Sequence, residues 1–142
     1  MKTFERVIEA RQRKKVDIDD MQFGFRAGKS TTNEIFIVRQ LQEKYLEKKK
    51  ELWMAFIDLE KAFDRIPREV IWWALRESGA EVGMISMIKS MYAGIMTAVK
   101  IGGRESGKFS VRVGVHQGSV LSPFLFIIVL EALSTKFRKG LS

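Results

Sequence analysis

A chain of 142 residues is long enough for one modest domain, and 46% hydrophobic with 30% charged residues is the composition of an ordinary globular protein. The formal charge of +8 favours polyanionic partners, because neutralising phosphates releases condensed counterions. No cysteine and one histidine, His116, exclude disulfides, Fe–S clusters and cysteine–histidine zinc sites, so a bound metal would have oxygen ligands, as magnesium or manganese prefers.

Phe4, Val7 and Ile8 stand at helical spacing among Lys and Arg, which predicts a basic amphipathic helix over the first fifteen residues. A polar, glycine-containing connector follows over 16–28. Thr31-Thr32-Asn33-Glu34 fits a capping box, with Thr31 bonding forward and Glu34 reaching back. Behind it Ile35, Val38, Leu41 and Tyr45 form one apolar stripe, ending in Lys48-Lys49-Lys50.

Residues 52–57 are short, apolar and followed by a charge, which predicts a buried strand terminating at Asp58. Pro67 fits the first position of a helix carrying Val70, Ile71, Ala74 and Leu75, stopped near Gly79. A further helix is expected over 82–92. Residues 95–101 and 108–113 alternate as strands, joined across Gly102-Gly103 as a hairpin-like pair. Ser122 is read as the N-cap of a last helix, with Pro123 in its first turn and Leu121 and Phe126 as a hydrophobic staple. That helix is apolar on nearly every side to Leu133 and should be largely buried. This order describes an α/β or α+β domain. No later strand is available to pair with the one ending at Asp58, which is odd for a complete domain. The longest apolar run, 123–130, falls far short of the about 20 residues of a membrane span. The N-terminus lacks the apolar core of a signal peptide, so an intracellular protein is expected.

Three places could carry chemistry. Asp58, at the end of a strand and before a turn, suits a metal ligand; spacing equally allows a helix-capping aspartate. Gln117-Gly118, in a loop before a buried helix, offers an amide and a close-approach backbone to a substrate, or serves as a plain connector. Gly28-Lys29-Ser30 imitates the end of a P-loop, but Gly24 to Gly28 encloses one residue too few and no apolar strand leads into it. Gly28 is therefore read as a turn.

Three blocks together make a resemblance specific. Gln22-Phe23-Gly24-Phe25-Arg26-Ala27-Gly28-Lys29-Ser30-Thr31-Thr32, then Ala55-Phe56-Ile57-Asp58-Leu59-Glu60-Lys61-Ala62-Phe63-Asp64, then Gly114-Val115-His116-Gln117-Gly118-Ser119-Val120-Leu121-Ser122-Pro123 occur in order and register. In this the chain resembles reverse transcriptases of non-LTR (LINE-type) retrotransposons, from about Phe4 to Phe137. The resemblance implies an α+β, partial right-hand polymerase fold, with fingers-derived helices over about 1–51 and an incomplete palm over 52–142 carrying motifs A and B.

By that resemblance Asp58 is the catalytic carboxylate of motif A that binds two Mg2+ or Mn2+ ions, and Leu59 lends its carbonyl to one of them. Phe63 matches the aromatic gate that excludes a 2′-hydroxyl. Gln117 and Gly118 match the motif B loop beside the incoming nucleotide. Gln22, Gly24 and Phe25 match a fingers segment that positions the template, while Arg26 and Lys29 either meet phosphates or are simply solvated. The implied partners are an RNA template, a DNA primer and a deoxynucleoside triphosphate, with no membrane. The Asp-Asp of motif C would lie beyond Ser142; Asp19-Asp20 lacks its aromatic and reads as connector. The resemblance thus implies RNA-directed DNA polymerase chemistry in a complete enzyme. This chain alone would be inactive and would hold the ions weakly. A rival of another class is a non-catalytic nucleic-acid-binding remnant.

Overall fold

The computed structural model describes residues 2–116 and 118–140. It contains α1 (Lys2–Arg13), α2 (Thr31–Glu47), α3 (Ala62–Arg65), α4 (Arg68–Glu77), α5 (Val82–Tyr92), β1 (Met96–Thr97), β2 (Lys100–Ile101), β3 (Arg104–Glu105), β4 (Phe109–Ser110) and α6 (Leu121–Gly140). The chain divides into two compact units, Met1–Asp17 with Lys61–Ser142, and Ile18–Glu60.

The larger unit is built around the N-terminal half of α6, on which both α1 and α4 pack, with α5 against α4. Leu121, Phe124, Leu125, Ile127 and Ile128 are wholly buried there, as are Ile71, Ala74 and Leu75 of α4 and Ile88 of α5. An apolar helix surface needs neighbours on several sides, and α6 has them only through its first turns. Beyond Leu130 it emerges, so that Leu133 is half-exposed and Phe137 exposed. Trp72 meets Tyr92 edge-to-face, ring centres 5.8 Å apart, closing the α4–α5 layer.

The expected helix at the N-terminus forms, but with another face inward. Ile8 is buried as expected, whereas Phe4 and Val7 are about half-exposed, and the buried companions of Ile8 are Glu5 and Gln12. Spacing alone could not see why a carboxylate belongs on that face. Its partner lies in the turn before α6.

The hairpin expected across Gly102-Gly103 is present, as two short antiparallel ladders. Lys100 pairs with Glu105 and Ile101 with Arg104, while Met96 pairs with Ser110 and Thr97 with Phe109. Two residues separate the ladders on one arm and three on the other, so a bulge shifts the register by one. Both turn glycines have positive φ, 55° and 81°, as a tight two-residue hairpin turn requires. The arms are exposed on both faces.

In the smaller unit, α2 starts one residue earlier than the capping pattern suggests. Ser30, not Thr31, is the N-cap, and its N–H donates to Asn33 Oδ1 at 3.0 Å. Asparagine reaches back here in place of Glu34. The stripe is half-covered at Val38 and Tyr45, while Ile35 and Leu41 are exposed and no α2 residue is fully buried.

Residues 52–57 overturn an expectation. They form neither a strand nor a buried segment: Trp53 is 87% exposed, Phe56 84% and Ile57 85%. A strand exists only through its ladder partners, and among the described residues nothing pairs with this segment. An apolar run supplies the propensity but not the partner.

Candidate functional site

Asp58 and Leu59 follow this unpaired stretch and are both exposed. A carboxylate and a main-chain carbonyl are hard oxygen donors of the kind magnesium or manganese takes. Among the described residues no group of three or more His, Cys, Asp or Glu is gathered in one place, so the donors fit in kind while Asp58 supplies only part of a two-ion set.

Phe63 sits on the first turn of α3 and is half-buried, its ring stacked on Phe126 of α6 with centres 4.5 Å apart and planes 29° from parallel. The backbone around it is tied to the segment before α6. Val115 N–H donates to the Phe63 carbonyl and Gly114 N–H to the Ile66 carbonyl, both at 2.8 Å, and Pro67 bridges to Val113. Gly114 makes the approach possible. Its φ is +77°, and a Cβ built there would lie 2.6 Å from the Asp64 carbonyl oxygen. Phe63 and Val115 are thereby locked together, which brings Phe63 beside the segment that leads toward Gly118.

Gln117 itself lies outside the described residues. Gly118 turns the chain with φ +78°. On one side, Ser122 Oγ donates to the His116 carbonyl at 2.7 Å. With that proton committed, the Tyr92 hydroxyl, 3.4 Å away, is the donor to Ser122 Oγ. On the other side, Ser119 Oγ and Val120 N–H both donate to Glu5 Oε2 at 3.0 Å, and Ser119 Oγ accepts from Leu121 N–H at 3.2 Å. Ser122 is therefore not the N-cap that spacing suggested. It lies inside α6, and its hydroxyl points back to hold the loop. Glu5 was missed by sequence reasoning; the available signal was an acidic residue in register with Ile8 on the inward face of a helix.

The 18–30 segment of the smaller unit organises itself. Asp19 Oδ1 accepts from Met21 N–H at 2.8 Å, an Asx turn, and Gln22 Oε1 accepts from Gly24 N–H at 3.2 Å. Asp19-Asp20 is thus connector, as expected. Phe25 is exposed, with φ +52°. Arg26 is neither loose nor purely solvated: Nη1 donates to the carbonyls of Asp19 at 2.6 Å and Gln22 at 3.3 Å, and Nη2 lies 3.6 Å from Asp20 Oδ1. Lys29 donates to the Asp20 carbonyl at 3.2 Å and lies over the Phe23 ring at 4.8 Å. Both cations brace the loop while keeping charge at its surface.

Comparison with known proteins decides the family. Residues 1–141 match the family described as reverse transcriptase (RNA-dependent DNA polymerase). The chain belongs to that family. It is 40% identical over 82 residues, 58% of its length, to a retrovirus-related Pol polyprotein from the type-1 retrotransposable element R2 of Popillia japonica. It is 32% identical over 111 residues, 78% of its length, to the RNA-directed DNA polymerase from the mobile element jockey of Drosophila funebris. To the Pol polyprotein of the type-2 element R2DM of Drosophila melanogaster it is 28% identical over 127 residues, 89% of its length. The matched regions cover only 14%, 12% and 12% of these relatives. These similarities make it a reverse transcriptase domain of the non-LTR retrotransposon kind. Among the described residues no helix is long and apolar enough to cross a membrane.

Proposed function

We propose that this chain is the fingers-and-palm portion, with fingers over 1–51 and palm over 52–142, of a retrotransposon reverse transcriptase. The parent enzyme would add deoxynucleotides to a DNA primer on an RNA template. The observation that carries the reading is the lock between Phe63 and Gly114–Val115, reinforced by the Phe63–Phe126 stack. It joins a ring suited to testing the sugar to the segment leading into a nucleotide-binding turn, as a polymerase pocket requires.

In the reaction the primer 3′-hydroxyl gives up its proton to solvent as its oxygen bonds to the α-phosphorus of the triphosphate, and the bond to the bridging oxygen breaks to release pyrophosphate. Asp58, with the Leu59 carbonyl, would hold the divalent ions, which when bound stabilise the charge of the transferring phosphoryl group. Phe63 excludes a ribose by steric conflict, and a ring already stacked on Phe126 cannot easily swing away from a 2′-hydroxyl. Gln117 and Gly118 contact the incoming nucleotide. Gln22, Gly24 and Phe25 position the template, and Arg26 and Lys29 present positive charge to its phosphates. By itself the chain is expected to be inactive, since Asp58 alone cannot hold two ions.

The test is primer extension by a full-length reverse transcriptase carrying these 142 residues. Asp58→Asn should lower the rate at least about a thousandfold, the scale of losing a main electrostatic contributor to catalysis. Template binding, which rests on basic groups, should stay within about twofold. Extension by the Asn variant at the original rate would remove Asp58 from the metal site. Template binding without synthesis by the unaltered protein would favour the nucleic-acid-binding remnant.

A further inference from the structure

The turn between His116 and Leu121 faces two demands. It must hold the backbone at Gly118 in one shape, and it must satisfy N–H groups at the start of α6 that have no partner within the helix. Ser119 already meets part of the second demand locally, by accepting from Leu121 N–H. What it lacks is a fixed orientation, because a serine hydroxyl rotates.

Glu5 supplies that orientation. Its Oε2 takes both the Ser119 hydroxyl and the Val120 N–H at 3.0 Å, from a side chain that is 5% exposed and belongs to α1, 115 residues earlier. A buried carboxylate is costly unless bonded, and a helix N-terminus is where its charge is best placed. One oxygen therefore does two things: it aims Ser119, and it ties the turn to a helix that is itself packed on α6. With Ser122 holding the His116 carbonyl from the other side, the chain is anchored both before and after Gly118.

We infer that Glu5 is a positioning residue for the turn at Gly118 and sets the KM of the parent polymerase for the incoming deoxynucleotide. The inference rests on the proposed nucleotide-binding role of that turn. An ordinary stabilising cap would lower the melting temperature and the fraction of active enzyme, reducing kcat and leaving KM alone. A positioning residue does the reverse.

The experiment is steady-state primer extension with varied deoxynucleotide, by the same full-length enzyme. Glu5→Ala should raise the deoxynucleotide KM roughly tenfold, equivalent to about 1.4 kcal/mol, with kcat within about twofold. Glu5→Gln keeps an oxygen acceptor of the same shape and should return KM to within about threefold of the original. Ser119→Ala should raise KM as well, and the double variant Glu5→Ala/Ser119→Ala should be little worse than either single one, as coupled groups behave. An unchanged KM in a folded Glu5→Ala enzyme overturns the inference, as do fully additive effects. If Glu5→Ala does not fold, Ser119→Ala decides: a raised KM supports the inference and an unchanged one overturns it. Asp58→Asn separates the two readings. Loss of extension in that variant with normal KM in Glu5→Ala defeats only the role of Glu5; extension at the original rate in Asp58→Asn defeats the proposed metal site itself.

Discussion

Two neighbouring stretches meet opposite fates in this molecule, and the wholly apolar one is the one left exposed. Residues 63–66 are drawn against Gly114–Val115 by two backbone hydrogen bonds, and Phe63 stacks on Phe126 of α6. Residues 52–57, a few positions earlier, leave Trp53, Phe56 and Ile57 more than four-fifths exposed. Hydrophobicity would have sorted them the other way. The first stretch has a partner backbone that a glycine lets come close, and the second has no partner among the described residues. The end of the 55–64 block that carries Phe63 is therefore held by packing, and the part that carries Asp58 is not.

That contrast can be broken most directly at Gly114. Gly114→Ala places a Cβ against the Asp64 carbonyl at a positive φ, and should cost roughly 2–4 kcal/mol, read as the shift of a denaturation midpoint. A loss below about 0.5 kcal/mol would mean that the close approach does not hold Phe63 in place.

Phe63→Val tests whether the packed half also selects the sugar. The full-length enzyme should then accept ribonucleotides, with discrimination falling on the order of a hundredfold, the range a steric contact can supply. Unchanged discrimination would leave Phe63 as a packing residue only.

Ile57→Lys probes the unpaired stretch. At 85% exposure the change should alter stability by less than about 0.5 kcal/mol. It should also reduce self-association of the purified chain, because a contiguous exposed apolar stretch is an aggregation site. Sedimentation at rising concentration reads both chain species; a destabilised variant would mean that Ile57 is covered.

The smallest effect belongs to Glu81, whose carboxyl is held below the ordinary carboxylate range by its hydrogen bond to Lys15 and then by the charge of that lysine. A lowered folded-state pKa contributes stability above the unfolded value and loses it as pH falls through the folded one. Glu81→Gln should therefore lower the melting temperature slightly at neutral pH and not in acid. Both partners are half-exposed or more, so added salt should shrink the difference. A difference that persists in acid would exclude this ion pair as its source.

Much of the helical framework was legible along the chain. The stop at Gly79, the apolar period through Ile71, Ala74 and Leu75, and the dense run from Phe124 to Val129 each mark an element by local chemistry, and Gly102-Gly103 marks the hairpin. The shift of the N-cap from Thr31 to Ser30 is a near miss of the same local kind. Larger errors came where an element depends on something distant. The stretch 52–57 needed a ladder partner, and the inward face of α1 was chosen by Ser119 and Val120 rather than by Phe4 and Val7. Ser122 has the residue type of a cap and instead bonds a carbonyl six residues back.

By itself the sequence determined where helices run, that any metal would take oxygen ligands, and, through three motif blocks in register, the family. Periodicity, cysteine count and motif spacing are properties of the chain and survive without a fold. Only the tertiary structure decided that Gly114 admits the Asp64 backbone, that Phe63 rests on Phe126, and that a glutamate from the first helix holds the turn before the last. Those depend on which atoms arrive within bonding distance after collapse, and the order of residues along a chain does not carry that distance.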